Sequence, residues 1–168
     1  PLVAVRAKTL LAPMDGPYRY AIMLGLLHNG YYWGGKAKSE INVIRIGDVT
    51  ILTNPGEIDP ELVEGGAVAL PGNDFGLTEP VELPPLRADM RNRMAFVVGL
   101  ANDEIGYILP KSQWDVEPPY VYGDDDQYGE GNSPGPDVAK VVVDYSREML
   151  QEMDRAFPPT YSEAAEIK

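Results

Sequence analysis

The sequence offers few nitrogen or sulfur ligands for a metal ion and no thiol nucleophile. The chain has one histidine, His28, and no cysteine. Zinc prefers about four ligands drawn from His, Cys and carboxylates, and a catalytic site leaves one position to water. His28 lies before Asn29-Gly30 at the end of an expected helix, where a protonated ring would stabilise the helix terminus. We therefore interpret His28 as a capping residue and not as a ligand.

The acidic triplet Asp124-Asp125-Asp126, followed by Glu130, is a second candidate for metal binding. It lacks the glycine and the distal glutamate of a helix-loop-helix calcium loop, so the pattern favours a solvated acidic turn. Ser133 lies in a Gly-rich turn, and the chain contains no matching histidine to activate it. A serine nucleophile is therefore not supported.

Three further groups have two interpretations each. Asn102-Asp103 could orient site residues through hydrogen bonds, or they could simply favour a turn. Asn132 lies in a turn whose backbone could approach a substrate, or the turn could be purely structural. The aromatic cluster Tyr31-Tyr32-Trp33 could line the entrance for a lipid-like substrate, or it could pack over the edge of a core.

Composition excludes some classes of function. The formal charge is -12, which repels a phosphate backbone, and there is no basic stripe with interleaved aromatic residues. Nucleic acid is therefore not an expected partner. No stretch approaches the roughly 18 apolar residues that a membrane helix requires, so any membrane contact would be peripheral.

Hydrophobic patterning predicts a mixed α/β chain with buried central strands and flanking helices. Ile41–Ile46 and Val49–Thr53 are joined by Gly47-Asp48, which is typical of a β-hairpin. Met94–Leu100 is continuously apolar, as expected of a strand covered on both faces, and a short extended segment follows at Ile105–Leu109. Apolar residues at helical spacing predict a long helix over 136–156.

Shorter elements complete this prediction. Leu2–Leu11 is expected to form a strand and Tyr18–His28 a short apolar helix. Asp59-Pro60 is a typical helix start, with an acidic N-cap before proline. Pro71–Arg93 is rich in proline, glycine and acids, which predicts a long surface loop.

Three segments in the same order resemble the catalytic domain of neutral/alkaline ceramidases, in its C-terminal part. Val43–Glu57 (VIRIGDVTILTNPGE) is similar to the family's strand, turn, strand and Pro-Gly-Glu. Val97–Leu109 (VVGLANDEIGYIL) is similar to its Gly-Leu, Asn and Gly-Tyr pattern, and Tyr128–Pro136 (YGEGNSPGP) to its Ser-containing segment ending in Gly-Pro. The resemblance implies that 1–157 is the C-terminal portion of such a domain, followed by a polar tail at 158–168.

The resemblance also implies a zinc-dependent hydrolase that cleaves an N-acyl amide bond in ceramide or a related lipid-like amide. Family members bind one Zn²⁺ through two histidines, one Glu and one Tyr. The Glu corresponds to Glu57 and the Tyr to Tyr107, which is also the catalytic candidate. Tyr107 would act as a phenolate ligand or would donate a hydrogen bond to the developing oxyanion.

The family's two His-containing segments are absent from this sequence, so the upstream part of the same protein is expected to supply both ligands and the chain alone to be inactive. A secreted or periplasmic location is implied by the resemblance. The alternative is a non-catalytic acidic binding or structural module that retains the fold. Its motivation is the lack of histidine ligands and the Ile-Asp-Pro that follows Glu57.

Overall fold

A computed structural model describes residues 3–26, 31–32, 36–90, 94–121, 123, 125 and 127–158. These residues form a mixed α/β fold, as the sequence predicts. One sheet has five strands and a second has two. The strands are β1 (Val3–Pro13), β2 (Tyr31–Tyr32), β3 (Lys36–Ile46), β4 (Val49–Thr53), β5 (Glu57–Ile58), β6 (Met94–Val98) and β7 (Tyr107–Ile108).

The larger sheet has the strand order β1-β3-β4-β6, and β2 pairs with the start of β3 on the edge opposite β1. The predicted hairpin is confirmed, because β3 and β4 pair antiparallel from Ile46↔Val49 to Asn42↔Thr53. β6 then adds parallel to β4, with Val49 opposite Met94. A parallel neighbour requires a crossover connection, and residues 54–93 provide it.

Helices cover one face of this sheet. They are α1 (Gly16–Met23), α2 (Pro60–Glu64), α3 (Leu86–Asp89), α4 (Tyr128–Gly131) and α5 (Val138–Ala156). α5 packs on β1 and β3 and also contacts α3, which in turn contacts α2. α5 confirms the predicted long helix, and its apolar stripe is fully buried at Val138, Val142 and Met153.

A buried arginine fastens the C-terminal end of α5 to the sheet. Arg45 of β3 donates hydrogen bonds to Thr50 Oγ1 at 3.1 Å, to the Phe157 carbonyl at 2.6 Å and to Asp154 Oδ1 at 2.5 Å. Its guanidinium is therefore paired on three sides, as a buried charge requires.

The opposite face of the sheet corrects one expectation. The sequence predicts that β6 and the hairpin are covered on both faces, but β6 lies at the sheet edge and its alternate side chains are exposed. α5, which packs on β1 and β3, covers the other face. The exposed residues share one face because neighbours in register point the same way. They are Val3, Val5, Ile46, Met94, Phe96 and Val98, each between 42% and 61% exposed.

The predicted surface loop after Pro71 is more ordered than expected. It contains α3, whose Leu86 is fully buried, and it buries Asn73 and Glu82. The Asn73 side chain bonds the backbone of Leu70 and Leu77, which closes a compact turn. Polar side chains that satisfy backbone groups therefore replace regular structure over much of this segment.

Candidate functional site

Glu57 and Tyr107 lie side by side on two short parallel strands. β5 and β7 pair with Glu57 opposite Tyr107 and Ile58 opposite Ile108. The Glu57 amide donates to the Gly106 carbonyl at 3.0 Å, and the Asp59 amide donates to the Ile108 carbonyl at 3.0 Å. The two residues are 50 positions apart in the sequence, so only the fold brings them together.

Two glycines make this close approach of backbones possible. A Cβ atom on Gly56 would lie 2.4 Å from the Gly106 carbonyl oxygen. A Cβ atom on Gly106 would lie 2.1 Å from the Asn132 carbonyl oxygen, and Gly106 has a φ of +95°. Glycine alone tolerates both the contact and the positive φ at this position. The positions immediately before Glu57 and Tyr107 therefore require glycine.

The segment 128–136 completes the same site. The Tyr107 amide donates to the Asn132 carbonyl at 3.1 Å. The Tyr128 ring meets the Tyr107 ring edge to face, with centroids 5.8 Å apart. The three segments that carry the family resemblance thus converge on one pair of residues, although each lies in a different part of the chain.

The Glu57 carboxylate affects the titration of Tyr107. It raises the pKa of Tyr107 above its ordinary value, chiefly through a hydrogen-bonding interaction, and desolvation and neighbouring charges, including that of Glu104, add to the effect. A proton next to a carboxylate is harder to remove, because the phenolate would face a negative charge. A bound cation would reverse that preference by favouring the phenolate.

Glu57 supplies a carboxylate of the kind that zinc accepts. Tyr107 supplies a phenol oxygen, a less usual ligand that would bind as the phenolate, and together the two would provide half of a four-ligand site. In the described part of the chain, no three His, Cys, Asp or Glu side chains lie close enough together to hold a metal ion. His28 lies outside the described residues. The donor set is therefore compatible with zinc only if further ligands come from outside the described residues.

Of the remaining sequence candidates, Asn102 and Asp103 hold the loop that follows β6. Asn102 Nδ2 donates to Thr53 Oγ1 at 2.9 Å, and Ser39 Oγ donates to Asp103 Oδ2 at 3.1 Å. Neither bond reaches Glu57 or Tyr107, so both residues support the loop that carries β7.

The other candidates show structural roles or cannot be described. Ser133 is buried, and its Oγ accepts a bond from the Gly135 amide at 3.3 Å, as in a tight turn. Asp125 is exposed, whereas Asp124 and Asp126 lie outside the described residues, as does Trp33. For Tyr31 and Tyr32 only the backbone of β2 is described.

Asn54 is a site residue that sequence reasoning missed. It is fully buried between β4 and Glu57. Its amide donates to the Val98 carbonyl at 2.8 Å, and its carbonyl accepts from the Ala101 amide at 3.0 Å. These bonds tie the Pro-Gly-Glu segment to the end of β6. The signal in the sequence is a polar residue directly after an apolar strand, a position at which Asn also commonly forms a turn.

Glu130 is a second residue whose setting the sequence did not reveal. Its carboxyl is partly buried near Asp115 and Asp74. Burial is the main reason that its pKa is raised, and the two neighbouring carboxylates raise it further. The sequence placed Glu130 with the acidic triplet, but the fold gives it different acidic neighbours.

Clefts lie on both sides of the Glu57–Tyr107 pair. One, of about 440 Å³, is lined by Glu57 together with the apolar side chains of Ile58, Val63, Val97 and Leu100. The other, of about 380 Å³, lies beside Tyr107 and Tyr128 and includes Leu70 and Leu109. Both clefts combine an apolar wall with a few polar groups, as ligand sites commonly do.

Comparison with protein-family models, with curated proteins and with solved structures finds no match to this chain. Over the described residues, no helix has the length and apolar character needed to cross a membrane.

Proposed function

We propose that this chain contributes Glu57 and Tyr107 to the active site of a zinc-dependent hydrolase that cleaves an N-acyl amide bond. The observation that carries the proposal is the pairing of these two residues on β5 and β7. The resemblance assigns both residues to one site, although they belong to segments that are far apart in the sequence. Three unrelated chance matches would not be expected to bring both residues and the third segment together at one place in the fold.

The chemistry of the donors agrees with this role. Glu57 and Tyr107 would hold the metal with two histidines from the upstream part of the same protein. Zinc supplies a coordinated water whose pKa is lowered towards about 7. The Tyr107 hydroxyl, whose pKa is raised by the neighbouring Glu57, keeps its proton and is suited to donate to the oxyanion that develops on the amide carbonyl.

The clefts support an amide with an apolar portion, such as ceramide or a related lipid-like amide. Ile58, Val63, Val97 and Leu100 line the cleft next to Glu57. An acyl chain buried there would gain roughly 0.8 kcal/mol for each CH₂ removed from water. Arg87 and Glu64, which pair at the cleft wall, are suited to contact a polar headgroup.

The test is zinc content and amide hydrolysis in the full-length protein. Glu57→Gln and Tyr107→Phe should each lower bound zinc tenfold or more, measured by elemental analysis, because each removes one of four ligands. The matched controls are Glu79→Gln and Tyr20→Phe, both at exposed positions away from the site. Wild-type zinc content and hydrolysis in Glu57→Gln would refute the proposal.

The alternative is a non-catalytic module, and one observation favours it. The Glu57 carboxylate raises the pKa of Tyr107, so the tyrosine stays neutral beside the carboxylate and the two groups can lie together without a metal ion. In that case the full-length protein would bind no zinc at micromolar concentrations. Glu57→Gln would then lower only thermal stability, because an amide oxygen is a weaker hydrogen-bond acceptor for the tyrosine hydroxyl than a carboxylate is.

A further inference from the structure

The solvent side of α1 is apolar, which is the reverse of an ordinary surface helix. α1 buries one side chain, Ile22. With 3.6 residues per turn, Tyr20, Met23 and Leu24 fall on the side of the helix opposite Ile22. We define the α1 face as these three residues together with Leu26, which follows the helix; each is between 44% and 73% exposed. A single exposed leucine is normal, whereas a contiguous apolar group indicates a binding surface.

The sequence around the α1 face differs in charge from the rest of the chain. Residues 16–39 contain Arg19, Lys36 and Lys38 but no Asp or Glu, although the whole chain has 26 acidic residues and a net charge of -12. Asp15 and Glu40 bound this acid-free stretch. Exposed charges more than about 10 Å apart are largely screened at 0.1 M salt. The local positive charge therefore determines which partners are attracted to the α1 face.

The fold brings two of the basic side chains together at the base of α1. Arg19 and Lys36 line one cleft of about 260 Å³, which Asp15 and Asp137 also line. Asp137 is already paired with Lys111, with 2.7 Å between Oδ1 and Nζ. Over the ranges that the structure describes, neither Arg19 nor Lys36 forms a salt bridge. Both cations are therefore available to an anionic partner.

We propose that the α1 face docks on the surface of an anionic lipid bilayer, with Arg19 and Lys36 at the level of the lipid phosphates. Helices that lie in a membrane interface combine an apolar side with basic residues. Tyrosine suits this position, because its ring is apolar and its hydroxyl can remain in water. The inference goes beyond the proposed function, since the contact requires neither zinc nor hydrolysis.

The same observations disfavour a second copy of the chain on the α1 face. A two-fold contact places the same patch on both partners, so the basic side chains of one copy would meet those of the other. A stable interface between separate proteins also involves roughly 20–30 residues on each side. A bilayer requires no such area, because its binding strengthens with each apolar group inserted and each basic residue near anionic lipid.

The test is flotation of the full-length protein with lipid vesicles. The vesicles consist of phosphatidylcholine alone or of phosphatidylcholine with about one third phosphatidylserine, which supplies the negative surface potential. Leu24→Ser removes an apolar group from the α1 face, and Arg19→Gln removes a charge beside it. The controls are Val68→Ser and Arg155→Gln, at exposed positions outside the face.

Wild type is expected to bind the anionic vesicles about tenfold or more better than the neutral ones, because several basic residues contribute. Leu24→Ser should lower the partition coefficient about tenfold and Arg19→Gln about fivefold, with less than about a twofold change in the controls. Equal binding of both vesicle types, or of wild type and Leu24→Ser, would overturn the proposal. A dimer seen by light scattering and abolished by Leu24→Ser, without vesicle binding, would also overturn it.

A fluorescence measurement tests the same contact without relying on a loss of binding. The chain has no cysteine, so Leu24→Cys and Val68→Cys can each carry one environment-sensitive dye. Any cysteine elsewhere in the full-length protein is first replaced by serine. The emission of the dye at position 24 should shift to the blue when anionic vesicles are added, and that at position 68 should not. An unchanged spectrum at position 24 would contradict the docking.

Zinc separates this proposal from the proposed function. Flotation is repeated after dialysis against a chelator, and vesicle binding is expected to persist because the contact needs no metal ion. A protein that binds vesicles and contains no zinc would refute the hydrolase proposal and leave the docking surface in place. A zinc-containing protein that does not bind vesicles would do the opposite.

Discussion

The larger sheet and the small β5–β7 pair are held together in different ways. In the larger sheet, α5 covers fully buried side chains such as Leu10, Ile41 and Leu52. The β5–β7 pair has two residues in each strand, and its stability depends on backbone hydrogen bonds and on glycines that admit a second backbone. Buried side chains stabilise the larger sheet. At the β5–β7 pair, glycines without a side chain allow two backbones to come into contact.

The largest effect is expected from Gly106→Ala, which disrupts the backbone contact next to the β5–β7 pair. The new Cβ would lie 2.1 Å from the Asn132 carbonyl oxygen at a φ of +95°, so the backbone must move. We expect a loss of more than about 4 kcal/mol in the free energy of unfolding, the range of exceptional single substitutions. Urea denaturation measures it.

The control for this variant is Gly131→Ala. A Cβ at Gly131 meets nothing within 4 Å, and the residue is in α4. Alanine also has the higher helix propensity, so its effect should stay within about 1 kcal/mol of wild type and is expected to be stabilising. Equal stability of the two alanine variants would show that the glycine contact is unimportant.

The second largest effect is expected from Leu52→Ala, which removes a buried side chain from the larger sheet. Leu52 is fully buried, so truncation loses transfer free energy and leaves a cavity. The expected cost is about 2–5 kcal/mol in the free energy of unfolding. Leu26→Ala, at an exposed leucine after α1, should change it by less than about 0.5 kcal/mol. If both variants unfold at the same urea concentration, side-chain burial does not hold the sheet.

The smallest effect, and the only one that depends on pH, is expected from Glu130→Gln near the small pair. The pKa of Glu130 is higher in the folded chain than in the unfolded chain, mainly because of burial. A raised carboxyl pKa contributes stability below the unfolded pKa and loses it as pH rises through the folded pKa. At neutral pH the charged group therefore destabilises the fold, and its removal should help.

The expected change is a rise in Tm of roughly 1–3 °C at pH 7, which disappears by about pH 4. Glu117→Gln, at an exposed position near the same carboxylates, is the control and should leave Tm nearly unchanged at both pH values. A Tm that rises equally at pH 7 and pH 4 would contradict the assignment, because a neutral Glu130 has no charge to remove.

Elements with strong local patterns were predicted well from the sequence. The β3–β4 hairpin follows from two β-rich runs around Gly47-Asp48, and α5 follows from an apolar stripe at helical spacing. Asp59 begins α2 as predicted, and its side chain accepts the Glu61 amide at 2.8 Å. These predictions succeeded because each signal depends on neighbours within one or two turns of the chain.

One prediction failed because it concerned coverage by other elements. An apolar run such as β6 shows that both faces are suited to burial, but it does not reveal what buries them. The segment after Pro71 lies largely at the surface, as predicted, but Leu86 within it is fully buried. Composition averages over a segment, and one apolar residue within a polar loop can still anchor it to a core.

By itself, the sequence determined the class of fold, the main hairpin, the long helix and the identity of Glu57 and Tyr107 as candidates. Only the tertiary structure decided that these two residues are neighbours, that Gly106 must lie against Asn132, and that one sheet face is open. The physical reason is the range of the interactions. Periodicity and capping act over a few residues, whereas contacts between segments about 50 residues apart depend on the packing of the whole chain.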